Sequence, residues 1–183
     1  MKKPLQSLRT LLRHRWLDES DARRAIPPDL TQRLMQRVAA SEQRHSGQIR
    51  ICVEASLPFS YLWRHVRLGL PLRQVIRERA VMLFGKLRVW DTERNNGVLI
   101  YLLLAEHAIE LVADRGLNHC VSPADWQAMV QRLGQALHEG RFEDGLTQAL
   151  EEVSAVLVAA SPQSPGGPDA VPVNELPDAP VLV

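Results

Sequence analysis

Hydrophobic and polar positions divide the chain into elements. Ile49, Ile51 and Val53 alternate with Gln48, Arg50, Cys52 and Glu54, a period of two that predicts a half-buried strand over 48–55. Val98 to Leu104 is apolar on both alternating faces, which predicts a central strand. Ala108 to Ala113 repeats the strand pattern after a connection as short as Glu106-His107, so these two strands should form an antiparallel hairpin. That connection lacks the usual turn glycine.

Helical spacing fills most of the rest. Leu5, Leu8, Leu11, Leu12 and Trp16 mark a basic amphipathic helix over 4–17, and a short helix is expected from Asp18 to Ile26 before Pro27-Pro28. Leu30, Leu34, Val38 and Ser41 give a helix over 29–45 that Gly47 stops. Leu72, Val75, Ile76, Leu83, Phe84 and Leu87 give another over 72–87. It joins the first two strands as a βαβ unit, which should be parallel and right-handed. Ser122, Pro123 and Asp125 supply an N-cap, a first-turn proline and an acid at the third position. The helix they start buries Trp126, Met129, Val130, Leu133 and Leu137 and ends at Gly140. A last helix follows from Phe142 through Leu157. Residues 57–70, with Pro58 and Gly69, read as a loop with a helical turn. From Ser161 the prolines forbid helix and central strand, so an extended tail is expected, its end from Asn174 to Val183 lying along the domain.

These elements add up to a three-layer α/β/α sandwich around a small mixed sheet. Residues 1–27 are read as an N-terminal helical extension, 28–160 as the domain and 161–183 as an extended Pro-rich C-terminal tail.

Charge changes this picture more than composition does. Residues 1–90 carry 18 Lys/Arg and 7 Asp/Glu, a net +11, whereas residues 91–160 carry 4 and 11, a net −7. Such a split suits contact with an anionic surface, or pairing between the halves on folding. The helix over 4–17 therefore has two readings, docked on its own domain or lying in acidic lipid headgroups. Arg73, Arg77 and Arg79 come with no nucleic-acid motif, so nucleic acid is not an expected partner. Cys52 and Cys120 have no paired spacing, which argues for a reducing compartment and against a disulfide framework or thiolate zinc site. No run approaches the roughly 18 apolar residues of a membrane span, and arginines interrupt the start before a signal-peptide core forms. The expected location is the cytoplasm, peripheral to the inner membrane.

Candidate chemistry concentrates where the chain enters the central strand, at VWDTERNNG from Val89 to Gly97. An antiparallel hairpin should bring Asn95-Asn96-Gly97 beside Asp114-Arg115-Gly116. Asp91, Glu93, Asn95 and Asp114 could then offer oxygens to a hard cation such as calcium or magnesium. Thr92, Asn96, Gly97, Arg115 and Gly116 would complete the rim. The same residues can instead make a tight strand entry through positive φ and local hydrogen bonds. No phosphate-binding glycine loop, nucleophile elbow or zinc-protease helix motif is present, and the six histidines have no ligand spacing.

Several stretches together resemble one known family. These are GQIRICVEASLP (Gly47–Pro58), RERAVMLFGKLRVWDTERNNGVLIYLLLAEHAIELVADRG (Arg77–Gly116), the W-x-x-M-V helix from Trp126 and GRFEDGLTQAL (Gly140–Leu150). They resemble the TPM domain family, and most of all a small proteobacterial branch without signal peptide or membrane span. Arg13–Trp16, Arg23–Pro28 and Asn174–Val181 match that branch's RHRW-like start, RRA-x-PP segment and NELPD-x-PV end. The resemblance implies an α/β/α sandwich. It also implies an accessory role beside a membrane-associated partner, either a LemA-type protein or another TPM protein. A different branch implies metal-dependent phosphatase activity as the alternative. The Thr-Gly turn common elsewhere in the family is Asp114-Arg115-Gly116 here. Two functions follow as expectations: a non-catalytic interaction domain with a cation at the rim, or a phosphatase of low activity using the rim carboxylates.

Overall fold

The computed structural model describes residues 4–117, 119–162 and 174–183. The side chains of residues 4–9 and 123, Asn118 and the tail from 163 to 173 lie outside that description. Expectations resting on Leu5 and Leu8, and on an extended course through 163–173, therefore lie outside the described residues.

Among the described residues, seven α-helices and four strands follow one another. They are α1 (Pro4–Trp16), α2 (Glu19–Ala25), α3 (Pro28–Glu42), β1 (Gln48–Glu54), α4 (Phe59–Leu68), α5 (Leu72–Lys86), β2 (Gly97–Leu103), β3 (Ala108–Ala113), α6 (Pro123–His138), α7 (Phe142–Ala160) and β4 (Val181–Leu182). The sheet has the order β3-β2-β1-β4. β1 runs parallel to β2, with Gln48 opposite Gly97 and Glu54 opposite Leu103, and β2 runs antiparallel to β3. The parallel crossover and the hairpin stand as the residue pattern predicts.

Two cores lie on opposite faces of this sheet. Ile49, Ile51, Val53, Val98, Ile100 and Leu102 pack with Ala22, Ile26, Leu34, Leu133 and Leu150, so α2, α3, α6 and α7 form one helical layer. Cys52, Leu99, Tyr101 and Leu103 pack with Leu62, Val75, Ala80 and Leu83, so α4 and α5 form the other. The molecule is a mixed α/β sandwich of three layers. Ala22 and Ile26 belong to the first core, so α2 shares its hydrophobic interior with the domain it precedes.

Local chemistry explains the boundaries. Ser122 starts α6 with a capping box, its hydroxyl accepting from the Asp125 N–H and the Asp125 carboxylate accepting in return. At the hairpin a short 3-10 turn, Leu104–Glu106, leads into His107 at φ 47°, so a histidine takes the left-handed position that glycine more often fills.

One expectation is corrected and another is sharpened. Residues 57–70 are not mainly loop: Phe59–Leu68 is a helix. Pro58 stands just before it and Gly69 ends it at φ 64°, so the two supposed breakers are its boundaries. The chain end does lie along the domain, and it goes further than extended contact. Val181–Leu182 pairs parallel with β1, Leu176 is buried, and the Gln48 amide oxygen accepts from the N–H groups of Glu175 and Leu176. Proline does not prevent this, because an edge strand leaves one row of N–H groups unused.

Candidate functional site

The strand entry and the strand exit meet as the hairpin requires. The Asp114 N–H donates to the Gly97 carbonyl at 2.9 Å, and the Gly116 N–H donates to that of Asn95 at 2.9 Å. Before this contact the chain turns tightly. The Asn95 N–H donates to the Thr92 carbonyl, the Asn96 N–H donates to Thr92 Oγ1 at 3.1 Å, and Asn95 sits at φ 52°. A Cβ on Gly97 would collide with the Val89 carbonyl, and one on Gly116 with the carbonyls of Asn95 and Arg94. Both glycines are there because backbones approach closely.

The rim side chains have separate partners. Asp91 is exposed and pairs with Arg88 at 2.9 Å. The Glu93 side chain is exposed, while its N–H donates to the Glu175 carboxylate at 2.8 Å. Asn95 Oδ1 accepts from the Arg115 guanidinium at 3.2 Å, so a cation already covers it. Asp114 Oδ1 accepts from the Arg115 N–H at 2.7 Å, and the Asn96 amide donates to Ser46 Oγ at 3.3 Å. Two oxygens remain. Among the described residues, Asn96 Oδ1 and Asp114 Oδ2 are buried without a hydrogen-bond partner, in residues 1% and 9% exposed. A buried acceptor left unmet costs about 1–3 kcal/mol. Among the described residues no three His, Cys, Asp or Glu side chains stand together as a metal cluster. The geometry thus gathers Asn95–Gly97 with Asp114–Gly116 and turns Asp91 to Arg88.

A second surface escaped the residue pattern. On α4, Phe59 and Trp63 stack outward with ring centroids 6.2 Å apart, and they are 71% and 51% exposed. Val66 and Leu68 are exposed on the same helix. Helix α1 separately exposes Leu12 and Trp16, the latter 80% exposed. α1 is fixed near the start of α4 by His14, whose buried Nδ1 accepts from the Leu57 N–H at 3.0 Å while Nε2 donates to Glu106 at 3.2 Å. An amide donor on Nδ1 requires the hydrogen on Nε2. Arg13 donates to the Ala105 carbonyl and pairs with Glu106. The spacing of Phe59, Trp63 and Val66 was the available signal.

Under α4 and α5 lies a buried ionic group. Arg79 makes two hydrogen bonds to Glu54, and the Tyr101 hydroxyl donates to Glu54 at 2.6 Å. Burial and the adjacent carboxylate hold the Tyr101 phenol well above its usual range. Burial likewise raises the Cys52 thiol to about 12, which leaves it unreactive. These groups bind α5 to the sheet.

Comparison with known proteins agrees with the architecture. The family model described as TPM domain matches residues 20–156, most of the chain, so the chain belongs to the TPM domain family. The NMR structure of BA42 protein from the psychrophilic bacterium Bizionia argentinensis superposes with a TM-score of 0.64, at 22% identity over 82% of this chain and 90% of that one. At that identity the likeness is one of fold. No curated protein matches the chain.

Proposed function

We propose that this TPM-domain chain is a non-catalytic interaction domain that lies against an acidic membrane surface through α1 and α4. One observation carries the reading: Trp16 on α1 and the stacked pair Phe59 and Trp63 on α4 are all strongly exposed, and a buried histidine holds α1 near the start of α4. Exposed aromatics of this kind seat well between headgroups and acyl chains. Arg15 and Arg67 flank them and have no carboxylate within ion-pair reach among the described residues. Each such cation near anionic lipid adds about 1 kcal/mol. No helix among the described residues is long and apolar enough to cross a membrane. A surface position sets the domain beside a membrane-anchored partner, of the LemA type or another TPM protein.

The test is co-sedimentation with phosphatidylcholine vesicles, with and without phosphatidylserine. The chain should sediment with the acidic vesicles, be released by salt, and lose retention in a Trp16→Ser, Trp63→Ser double variant. Equal behaviour of the variant and the parent would sink the reading.

The unmet oxygens of Asn96 and Asp114 favour an added property, a calcium or magnesium ion held at the rim. Amide and carboxylate oxygens suit such hard cations. Calcium titration followed by NMR should shift the amides of Asn96 and Asp114, and Asp114→Asn should weaken that response. The phosphatase alternative would use the rim carboxylates Asp91, Glu93 and Asp114, of which Asp91 pairs with Arg88 at the surface. Assays with magnesium, calcium and manganese favour the phosphatase if an Asp91→Ala, Asp114→Ala double variant loses activity that the parent has.

A further inference from the structure

We propose that the open edge of β3 is a docking site where an extended, acidic segment of a partner protein adds to the sheet. β3 is the last strand in the order β3-β2-β1-β4, so among the described residues its outer side has no strand neighbour. The bond from the Asp114 N–H to the Gly97 carbonyl sets the phase of the β2–β3 ladder. Counting back in twos, Val112, Glu110 and Ala108 bond to β2, whereas Ile109, Leu111 and Ala113 turn their backbone groups outward. The Leu111 carbonyl agrees, for it accepts from Arg77 at 2.5 Å. Among the described residues nothing bonds the outward N–H groups of Ile109, Leu111 and Ala113.

That edge opens into a groove between α5 and α6. One cavity of about 500 Å³ lies along Leu111 and Ala113, and another of about 590 Å³ continues past Ala108 and Ile109. Both share Arg73, Glu110 and Val130. The outward groups recur at every second residue, which is the repeat of an extended chain and of no helix. Trp126 and Val130 make the α6 wall partly apolar. On the α5 wall Arg77 pairs with Glu110 at 3.4 Å, while Arg73 has no carboxylate within ion-pair reach among the described residues. The unmatched charge is positive, so the occupant is acidic.

Docking would exchange partners in order. An N–H of the incoming strand takes the Leu111 carbonyl from Arg77, and the released guanidinium joins Arg73 on the incoming carboxylate. A second copy of this chain suits the edge badly, because pairing two β3 edges about a twofold axis sets α5 beside α5, arginine against arginine. The site stands whether or not α1 and α4 meet a membrane.

Random peptides displayed on phage and selected against the full chain test the proposal. Enriched peptides should carry an acid among alternating apolar or β-branched residues. Bound, they should slow hydrogen exchange at the N–H of Ile109, Leu111 and Ala113. Arg73→Glu should weaken them at least tenfold. Ala113→Pro should abolish binding while keeping the hairpin, because that N–H takes no part in the β2 ladder. If Ala113→Pro does not fold, Arg73→Glu and the exchange pattern decide. The proposal is overturned if no peptide is enriched, if enriched peptides leave the three amides unprotected, or if Arg73→Glu binds them as tightly. Protection that rises with protein concentration alone would also overturn it, in favour of a second copy.

Discussion

The two sides of the sheet are finished differently. Beyond β1 the backbone is satisfied by the chain itself. The Ile49 N–H donates to Glu42 at 2.9 Å, the Ala55 N–H donates to the Val183 carbonyl, and the Val183 N–H donates to that of Val53. Arg50 reaches over this edge to the carbonyls of Pro177 and Ala179. The covering strand, β4, has two residues, too short a template to recruit another chain. Beyond β3 the outward backbone groups of Ile109, Leu111 and Ala113 have one partner among the described residues, an arginine on the Leu111 carbonyl. A sheet edge is an aggregation hazard unless it is covered or used. One side is therefore closed for stability, and the other is left available.

Deleting residues 174–183 should erase that contrast and have the largest effect. Burial of Leu176 is lost, at about 2 kcal/mol, together with several hydrogen bonds of about 1 kcal/mol each. Urea denaturation should register a loss on the order of 3–5 kcal/mol, and sedimentation should detect association through the bared β1 edge. A loss under about 1 kcal/mol would mean that the tail merely rests on the domain.

A subtler asymmetry lies in Glu42. Burial raises its carboxyl from 4.5 to about 7, with the nearby Asp178 carboxylate adding to the rise. The folded chain then holds a proton that the unfolded chain releases, so stability is fullest below about 4.5 and falls as pH rises to about 7. Glu42→Gln keeps an acceptor for the Ile49 N–H and removes the charge. It should flatten this dependence and stabilise the chain at pH 8 by about 1–3 kcal/mol, read from thermal unfolding at several pH values. An unchanged slope between the two pH limits would place the cause elsewhere.

How much of this was legible depends on how local each signal is. Period-two alternation at Ile49 to Val53 and unbroken apolarity at Val98 to Leu104 follow from burial alone, so the strands and hairpin were plain in the sequence. The meeting of Asn95–Gly97 with Asp114–Gly116 followed from the hairpin. Helix α4 was hidden because Pro58 and Gly69 mark helix ends as readily as loops. β4 was hidden because what orders it is distant: Gln48, Arg50 and the β1 edge. At the rim, composition announced the acids but not the arginines that claim their neighbourhood, Arg88 on Asp91 and Arg115 on Asn95. The charge split proved partly internal, since Arg13, Arg33 and Arg77 pair with Glu106, Glu143 and Glu110 of the acidic half.

The finest comparison sets one arginine on each side. Arg50 is half-buried and holds two tail carbonyls, and burial pulls its guanidinium below the usual range. Arg73 is exposed at the β3 groove and pairs with no carboxylate among the described residues. Arg50→Ala removes the donors that two carbonyls share and should cost about 1–2 kcal/mol. Arg73→Ala removes a surface cation from a helix and should leave stability within about 0.5 kcal/mol. Paired urea melts measure the difference. An equal loss at both positions would mean that Arg73 has a stabilising partner in the folded chain, and the positive charge at the open edge would then be part of its closure.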